Sequence, residues 1–224
     1  MYRIFLPICI LLSCGTAAAE EFRQTADVEP SIIAFGDSLT AGLGVGRDDA
    51  YPAQLQRRLE GLGYHYRVIN AGVSGDTTAG GLRRVPWVLK SKPELVILEL
   101  GANDGLRGLS LEQTQHNLSR IIQEFRRADV TVILAGMKLP PNYGQDYTKG
   151  FEAIYQTLAA QYQLPLIPFF LEGVAASSSL NQADGIHPTK EGYQIVVDRV
   201  LDVLGPVLHK QRSKNQNIKR PMEK

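Results

Sequence analysis

Five stretches of apolar, largely β-branched residues punctuate the chain: 31–36 (SIIAFG), 66–71 (YRVINA), 94–101 (ELVILELG), 129–136 (DVTVILAG) and 164–169 (LPLIPF). Within them the apolar positions run on rather than alternate. Strands that show neither face to water read this way, which predicts a parallel sheet covered on both sides. Between the strands the period changes to that of a helix. Leu118, Ile121, Ile122 and Phe125 stand at i, i+3, i+4 and i+7 behind Ser110 and Gln113, which form a capping box. Tyr51, Leu55, Leu59 and Leu62 mark an earlier helix, and Tyr193, Val196, Val197, Val200 and Leu204 the last one, opened by Pro188. The alternation predicts a three-layer α/β/α domain with an open, parallel, five-stranded sheet, its ligands at the carboxyl ends of the strands.

The polar residues that follow the strands carry the chemistry. The first strand runs into Gly36-Asp37-Ser38-Leu39, the second into Ala71-Gly72-Val73-Ser74-Gly75-Asp76, the third into Gly101-Ala102-Asn103-Asp104, and Asp184-Gly185-Ile186-His187-Pro188 precedes the last helix. A serine hydroxyl is a weak nucleophile until a base takes its proton and donors await the oxyanion. Ser38 is the candidate nucleophile. His187 is the candidate base, since imidazole exchanges protons near neutrality, and Asp184, three residues earlier across a glycine, is placed to orient it. The backbone N–H groups of Ser38 and Gly75 and the amide of Asn103 are the candidate oxyanion donors. Singly, each has a plainer reading as a helix cap or a turn residue; four separate turns have little reason to supply one complete catalytic set. His65, His116 and His209 lack a flanking acid at that spacing.

Length and composition narrow the setting. With 224 residues, 44% of them hydrophobic and 21% charged, the chain suits one domain with a substantial core. Met1-Tyr2-Arg3, the apolar run to Cys14 and Thr16-Ala17-Ala18-Ala19 have the three parts of a secretory signal, cleaved after Ala19. Pro7, Ser13, Gly15 and Thr16 break that run too often for a spanning helix. Both cysteines, Cys9 and Cys14, fall inside the signal, so residues 20–208 form a domain without thiol or disulfide, expected in a bacterial periplasm or outside the cell. A lipoprotein attached through Cys14 is the alternative. Residues 209–224 are basic (Lys210, Arg212, Lys214, Lys219, Arg220, Lys224) on an otherwise acidic body, and read as a solvated, disordered tail. An acidic body argues against nucleic acid as a partner; a monomer without cofactor or metal, not inserted in a membrane, is expected.

At these residues the chain resembles the SGNH, or GDSL, hydrolases: Ser38 in Gly-Asp-Ser-Leu, Gly75, Asn103 in Gly-x-Asn-Asp, and Asp184 with His187 in Asp-x-x-His. The resemblance implies a flavodoxin-like sheet, with Ser38, His187 and Asp184 as catalytic triad and Ser38, Gly75 and Asn103 as oxyanion hole. Val73 to Thr78, Leu100 to Leu109, Lys138 to Gly144 and Asp184 to Pro188 are similar to the bacterial periplasmic group of arylesterases, acyl-CoA thioesterases and lysophospholipases. That group implies hydrolysis of aryl esters, acyl thioesters and acyl esters. Leu106, Leu109, Met137, Leu139 and Pro140, beside these blocks, are candidates to bind the acyl group.

Three other functions compete. Gly42-Leu43-Gly44-Val45-Gly46-Arg47 hints at a dinucleotide loop, but the third fingerprint glycine falls on Arg47. Asp37, Asp76, Asp104 and Asp184 are hard oxygen donors of the kind that hold magnesium in phosphohydrolases. A carbohydrate acetylesterase would use the same catalytic groups, whereas a non-catalytic lipid- or glycan-binding module would not need all of them.

Overall fold

The computed structural model describes residues 29–219, with side chains to residue 213. Residues 1–19, read as a signal, lie outside the described residues. Five parallel strands, β1 (Ser31–Gly36), β2 (Arg67–Gly72), β3 (Leu95–Glu99), β4 (Thr131–Ala135) and β5 (Leu166–Ile167), form one sheet in the order β2-β1-β3-β4-β5. The described residues hold seven α-helices: α1 (Ser38–Ala41), α2 (Tyr51–Gly61), α3 (Thr78–Leu89), α4 (Ala102–Leu106), α5 (Leu111–Arg127), α6 (Gln145–Tyr162) and α7 (Lys190–Lys219). The architecture is a three-layer α/β/α domain, an open parallel sheet with helices on both faces. Every residue of β1 and β3 is buried, as continuous apolar runs require at the centre of a parallel sheet.

Where sequence and structure differ, the reasons are local. β2 lies at the edge: Arg67 and Asn70 face solvent, Val68, Ile69 and Gly72 are half-buried, and only Ala71 is buried. β5 shrinks to two residues because Pro165 and Pro168, which have no N–H to give to a neighbour, stand on either side. Leu62 caps the end of α2 and is 58% exposed, so it belongs to no core stripe. The capping box at α5 is half made: Ser110 Oγ accepts from the Gln113 N–H, but the Gln113 side chain turns forward to Asn117. The last helix does not stop before residue 209. Leu208 is buried, and Gln211 bonds Thr131 and accepts from the Tyr66 hydroxyl, so the stripe of α7 reaches past the sheet's amino end and residues 209–219 continue it. Among the described residues no helix is long and apolar enough to cross a membrane.

Candidate active site

All four motif blocks meet at the carboxyl edge of the sheet. β1 ends at Gly36, and Asp37 caps α1 by accepting from the Leu39 N–H at 3.0 Å, which puts Ser38 at the first position of a four-residue helix. His187 arrives from the other side, on a turn closed by bonds from the Gln182 N–H to the His187 carbonyl (2.8 Å) and from the Gly185 N–H to the Gln182 carbonyl (2.9 Å). Gln182 also reaches the carbonyls of Leu43 and Pro188, tying this turn to the segment after α1. The result is a continuous chain of bonds. Ser38 Oγ lies 2.8 Å from His187 Nε2, and His187 Nδ1 lies 2.7 Å from Asp184 Oδ2. With the one ring proton of neutral His187 on Nδ1, facing the carboxylate, Nε2 is the acceptor for the Ser38 hydroxyl.

Asp184 holds its charge by its own turn. Its Oδ1 accepts from the Ile186 and His187 N–H groups, each at 3.0 Å, and these bonds, ahead of the contact with the imidazole, hold its carboxyl down to about 2. Asp37 has the opposite surroundings. It is buried, and burial pushes its carboxyl up to about 6 against the bonds from Leu39 and from the Asn103 amide, which donates to Oδ2 at 3.0 Å.

The Ser38 and Gly75 N–H groups have no partner within the chain among the described residues. Gly75 adopts φ +78°, a left-handed turn that a side chain would strain. Asn103 spends one amide hydrogen on Asp37, leaving the other for a ligand. A buried chain sets the spacing of these loops: Asp104 accepts from Thr78 N–H and Oγ1, and Asn117 Nδ2 donates to Thr78 Oγ1. Two arginines that the sequence reading passed over do similar work. Arg84 stacks 4.4 Å from the Phe35 ring centroid while bonding Asp76, the Ala71 carbonyl and the Gly36 carbonyl. Arg107 donates to the Gly75 carbonyl at 2.9 Å and to Asn103 Oδ1 at 3.5 Å. Neither has a sequence signature, because each bonds mainly to carbonyls brought together by folding.

A cavity of about 410 Å³ opens beside Ser38 and His187. Leu106, Met137, Leu139 and Pro140 line it, together with Phe169 and Ile186, which the sequence reading did not single out. Leu109 does not: it sits 42% exposed beyond α4, its carbonyl accepting from the Tyr147 hydroxyl. Gly108 makes the chain turn away with φ +65° one residue earlier.

The four carboxylates that suggested magnesium are each committed to the protein: Asp37 and Asp184 as above, Asp76 to Arg84, Asp104 to Thr78. Among the described residues no group of three or more such ligands is placed to hold a metal ion. The glycine string at 42–46 follows α1 rather than a strand, so it lacks the strand-to-helix position of a dinucleotide loop.

A fold of this topology with a serine, a histidine and an aspartate at the strand ends defines a hydrolase of the SGNH class. The chain belongs to the GDSL-like lipase/acylhydrolase family, whose profile matches residues 34–195. It is 44% identical over 199 residues to the esterase TesA of Pseudomonas aeruginosa, a match covering 88% of this chain and 98% of that protein. To thioesterase 1/protease 1/lysophospholipase L1 of Escherichia coli K12 it is 36% identical over 212 residues, covering 93% of this chain and 96% of the relative. A crystal structure of TesA superposes with a TM-score of 0.76 at 46% identity, covering 79% of this chain and 98% of the other.

Proposed function

We propose that the protein hydrolyses carboxylic ester and thioester bonds through an acyl-enzyme on Ser38. The observation that carries this is the unbroken Ser38–His187–Asp184 chain opening onto an apolar cavity. His187 takes the Ser38 proton through Nε2 as the hydroxyl attacks the acyl carbon. The Ser38 and Gly75 N–H groups and the free amide hydrogen of Asn103 receive the oxyanion. His187 then passes its proton to the departing alcohol or thiol, and the same groups activate water to release the acid. Asp184 stays ionised throughout, fixing the tautomer and stabilising the imidazolium.

The hydrocarbon of the acyl group lies against Leu106, Met137, Leu139, Pro140 and Phe169, and the leaving group faces solvent. Aryl esters, acyl-CoA and lysophospholipids meet that description. The apolar lining suits a longer acyl chain better than the acetyl group of a carbohydrate acetylesterase. The pattern of residues 1–19 supports action in the periplasm or outside the cell. The chemistry is tested by treating the protein with an organophosphonate: mass spectrometry should find one adduct, on the peptide containing Ser38, and none in Ser38→Ala. Full inactivation with the adduct elsewhere would overturn the assignment. Rates on p-nitrophenyl esters, palmitoyl-CoA, a lysophospholipid and acetylated sugars rank the substrates.

A further inference from the structure

Beneath Ser38 lies a carboxyl that the hydrolytic steps do not use. Glu99 ends β3 and is fully buried. Its Oε2 accepts from the Thr40 hydroxyl at 2.8 Å and from the Asp37 backbone N–H at 3.3 Å, gripping the chain on both sides of the nucleophile. Gly36 permits this approach, since a Cβ there would come within 2.3 Å of Glu99 Oε2. Oε1 has no partner, and neither do the buried hydroxyls of Tyr51 and Tyr193. No cation pairs with Glu99 among the described residues.

Burial raises the Glu99 carboxyl well above the usual carboxylate range, the neighbouring Asp37 charge raises it further, and the Thr40 and Asp37 bonds oppose both. The groups packed around it add no positive charge: Asp37 at the end of β1, Thr40 of α1, Tyr51 of α2, Tyr155 of α6 and Tyr193 of α7. Those three phenols are themselves held protonated, chiefly by burial. Two adjoining buried carboxyls without a counter-ion do not both ionise. Asp37, which accepts from Leu39 and Asn103, is the better anion. Glu99, with one oxygen accepting twice and the other bare, is shaped as the acid.

We propose that Glu99 is a neutral carboxylic acid throughout catalysis and acts as a positioning residue, its Oε2 pinning the turn around Ser38 while Asp37 remains the single anion that aims Asn103. This rests on the roles given above to Ser38 and Asn103.

The test compares Glu99→Gln with Glu99→Ala. Glutamine supplies an acceptor at the Oε2 position and a donor at the Oε1 position, as the neutral acid does. Glu99→Ala should lower kcat roughly 10- to 100-fold with a smaller change in KM, and Glu99→Gln should restore most of it. At pH 8 the infrared spectrum of the unaltered protein should contain the carbonyl band of a protonated carboxyl that is missing from Glu99→Gln. Where Glu99→Ala fails to fold, the glutamine variant and the spectrum decide. No difference in that band, or a glutamine variant whose kcat falls 100-fold or more, overturns the proposal. Organophosphonate labelling keeps the two readings apart: failure to label Ser38 in the unaltered protein sinks the nucleophile, whereas the infrared band speaks for Glu99 alone.

Discussion

Asp37 is 1% exposed, and its carboxyl is pushed up to about 6, chiefly by burial; Asp184 lies on an exposed turn, and its carboxyl is held down to about 2, chiefly by the N–H groups of Ile186 and His187. Each stands one bond away from a residue given a chemical role, Asp37 from Asn103 and Asp184 from His187. The difference separates two ways of organising a site. On the nucleophile's side, buried bonds from β3 and α4 fix an arrangement that the core maintains. On the base's side, the four residues Asp184–His187 supply both the anion and the N–H groups that stabilise it, so little of the core is involved. Damage to Asp184 should therefore reach the chemistry and spare the fold, whereas damage to Asp37 should reach both.

The largest effect is expected at the turn. Asp184→Asn keeps the shape but invites the wrong imidazole tautomer, and kcat should fall roughly 10³- to 10⁴-fold, with His187→Ala equal or worse. Because these groups act as a unit, the double variant should lose little beyond the worse single one. Melting temperatures, followed by circular dichroism, should stay close to that of the unaltered protein. Fully additive losses in kcat would mean that Asp184 and His187 work separately.

A smaller loss is expected from the buried side. Removing the one side-chain oxyanion donor by Asn103→Ala should lower kcat about 10²- to 10³-fold, roughly 3–4 kcal/mol, with a lesser change in KM. Asp37→Asn turns a donor toward a donor, either at Leu39 or at Asn103, and leaves a buried polar group unsatisfied, about 1–3 kcal/mol. That should appear as a 10- to 100-fold fall in kcat together with a lower melting temperature. Combined with Asn103→Ala, its effect on kcat should be less than additive, since both act on one amide. An Asp37→Asn variant with unaltered kcat would separate Asp37 from the oxyanion site altogether.

The same contrast explains what could be read from the sequence. Strands β1, β3 and β4 declared themselves because burial on both faces forces unbroken apolar runs, and α5 because one buried face forces the i, i+3, i+4, i+7 stripe. The Asp184–His187 turn was legible because its geometry is contained in four consecutive residues. What joins distant segments was not: nothing in the spacing of Glu99, Arg84 or Arg107 shows that they converge on Gly36, Ala71 and Gly75. Asp37 looked like a metal ligand, and only the fold brings Asn103 to its second oxygen. Leu109 was misplaced because apolarity and nearness to Asn103 say nothing about the turn at Gly108. The basic end looked unstructured by composition, yet Leu208 and Gln211 have places against the core that carry α7 onward.

The smallest effect is the most direct check on the comparison, because the two aspartates should move stability with pH in opposite directions. For Asp184 the folded value of about 2 lies below the ordinary 3.8, so its charged form stabilises the fold above pH 4 and that contribution is lost as pH falls from about 4 toward 2. For Asp37 the folded value of about 6 lies above 3.8, so the fold favours the protonated form, and its contribution is lost as pH rises from about 4 to 6. Thermal unfolding of the unaltered protein, Asp184→Asn and Asp37→Asn across pH 2 to 7 separates them. The melting-temperature deficit of Asp184→Asn should shrink on acidification below pH 4, by a small amount because that carboxylate is partly solvated. The deficit of Asp37→Asn should instead shrink as pH rises from 4 to 6, since the unaltered protein there takes on a buried charge that the variant lacks. Parallel curves for the two variants would show that burial at Asp37 and the backbone bonds at Asp184 do not set these carboxyls apart.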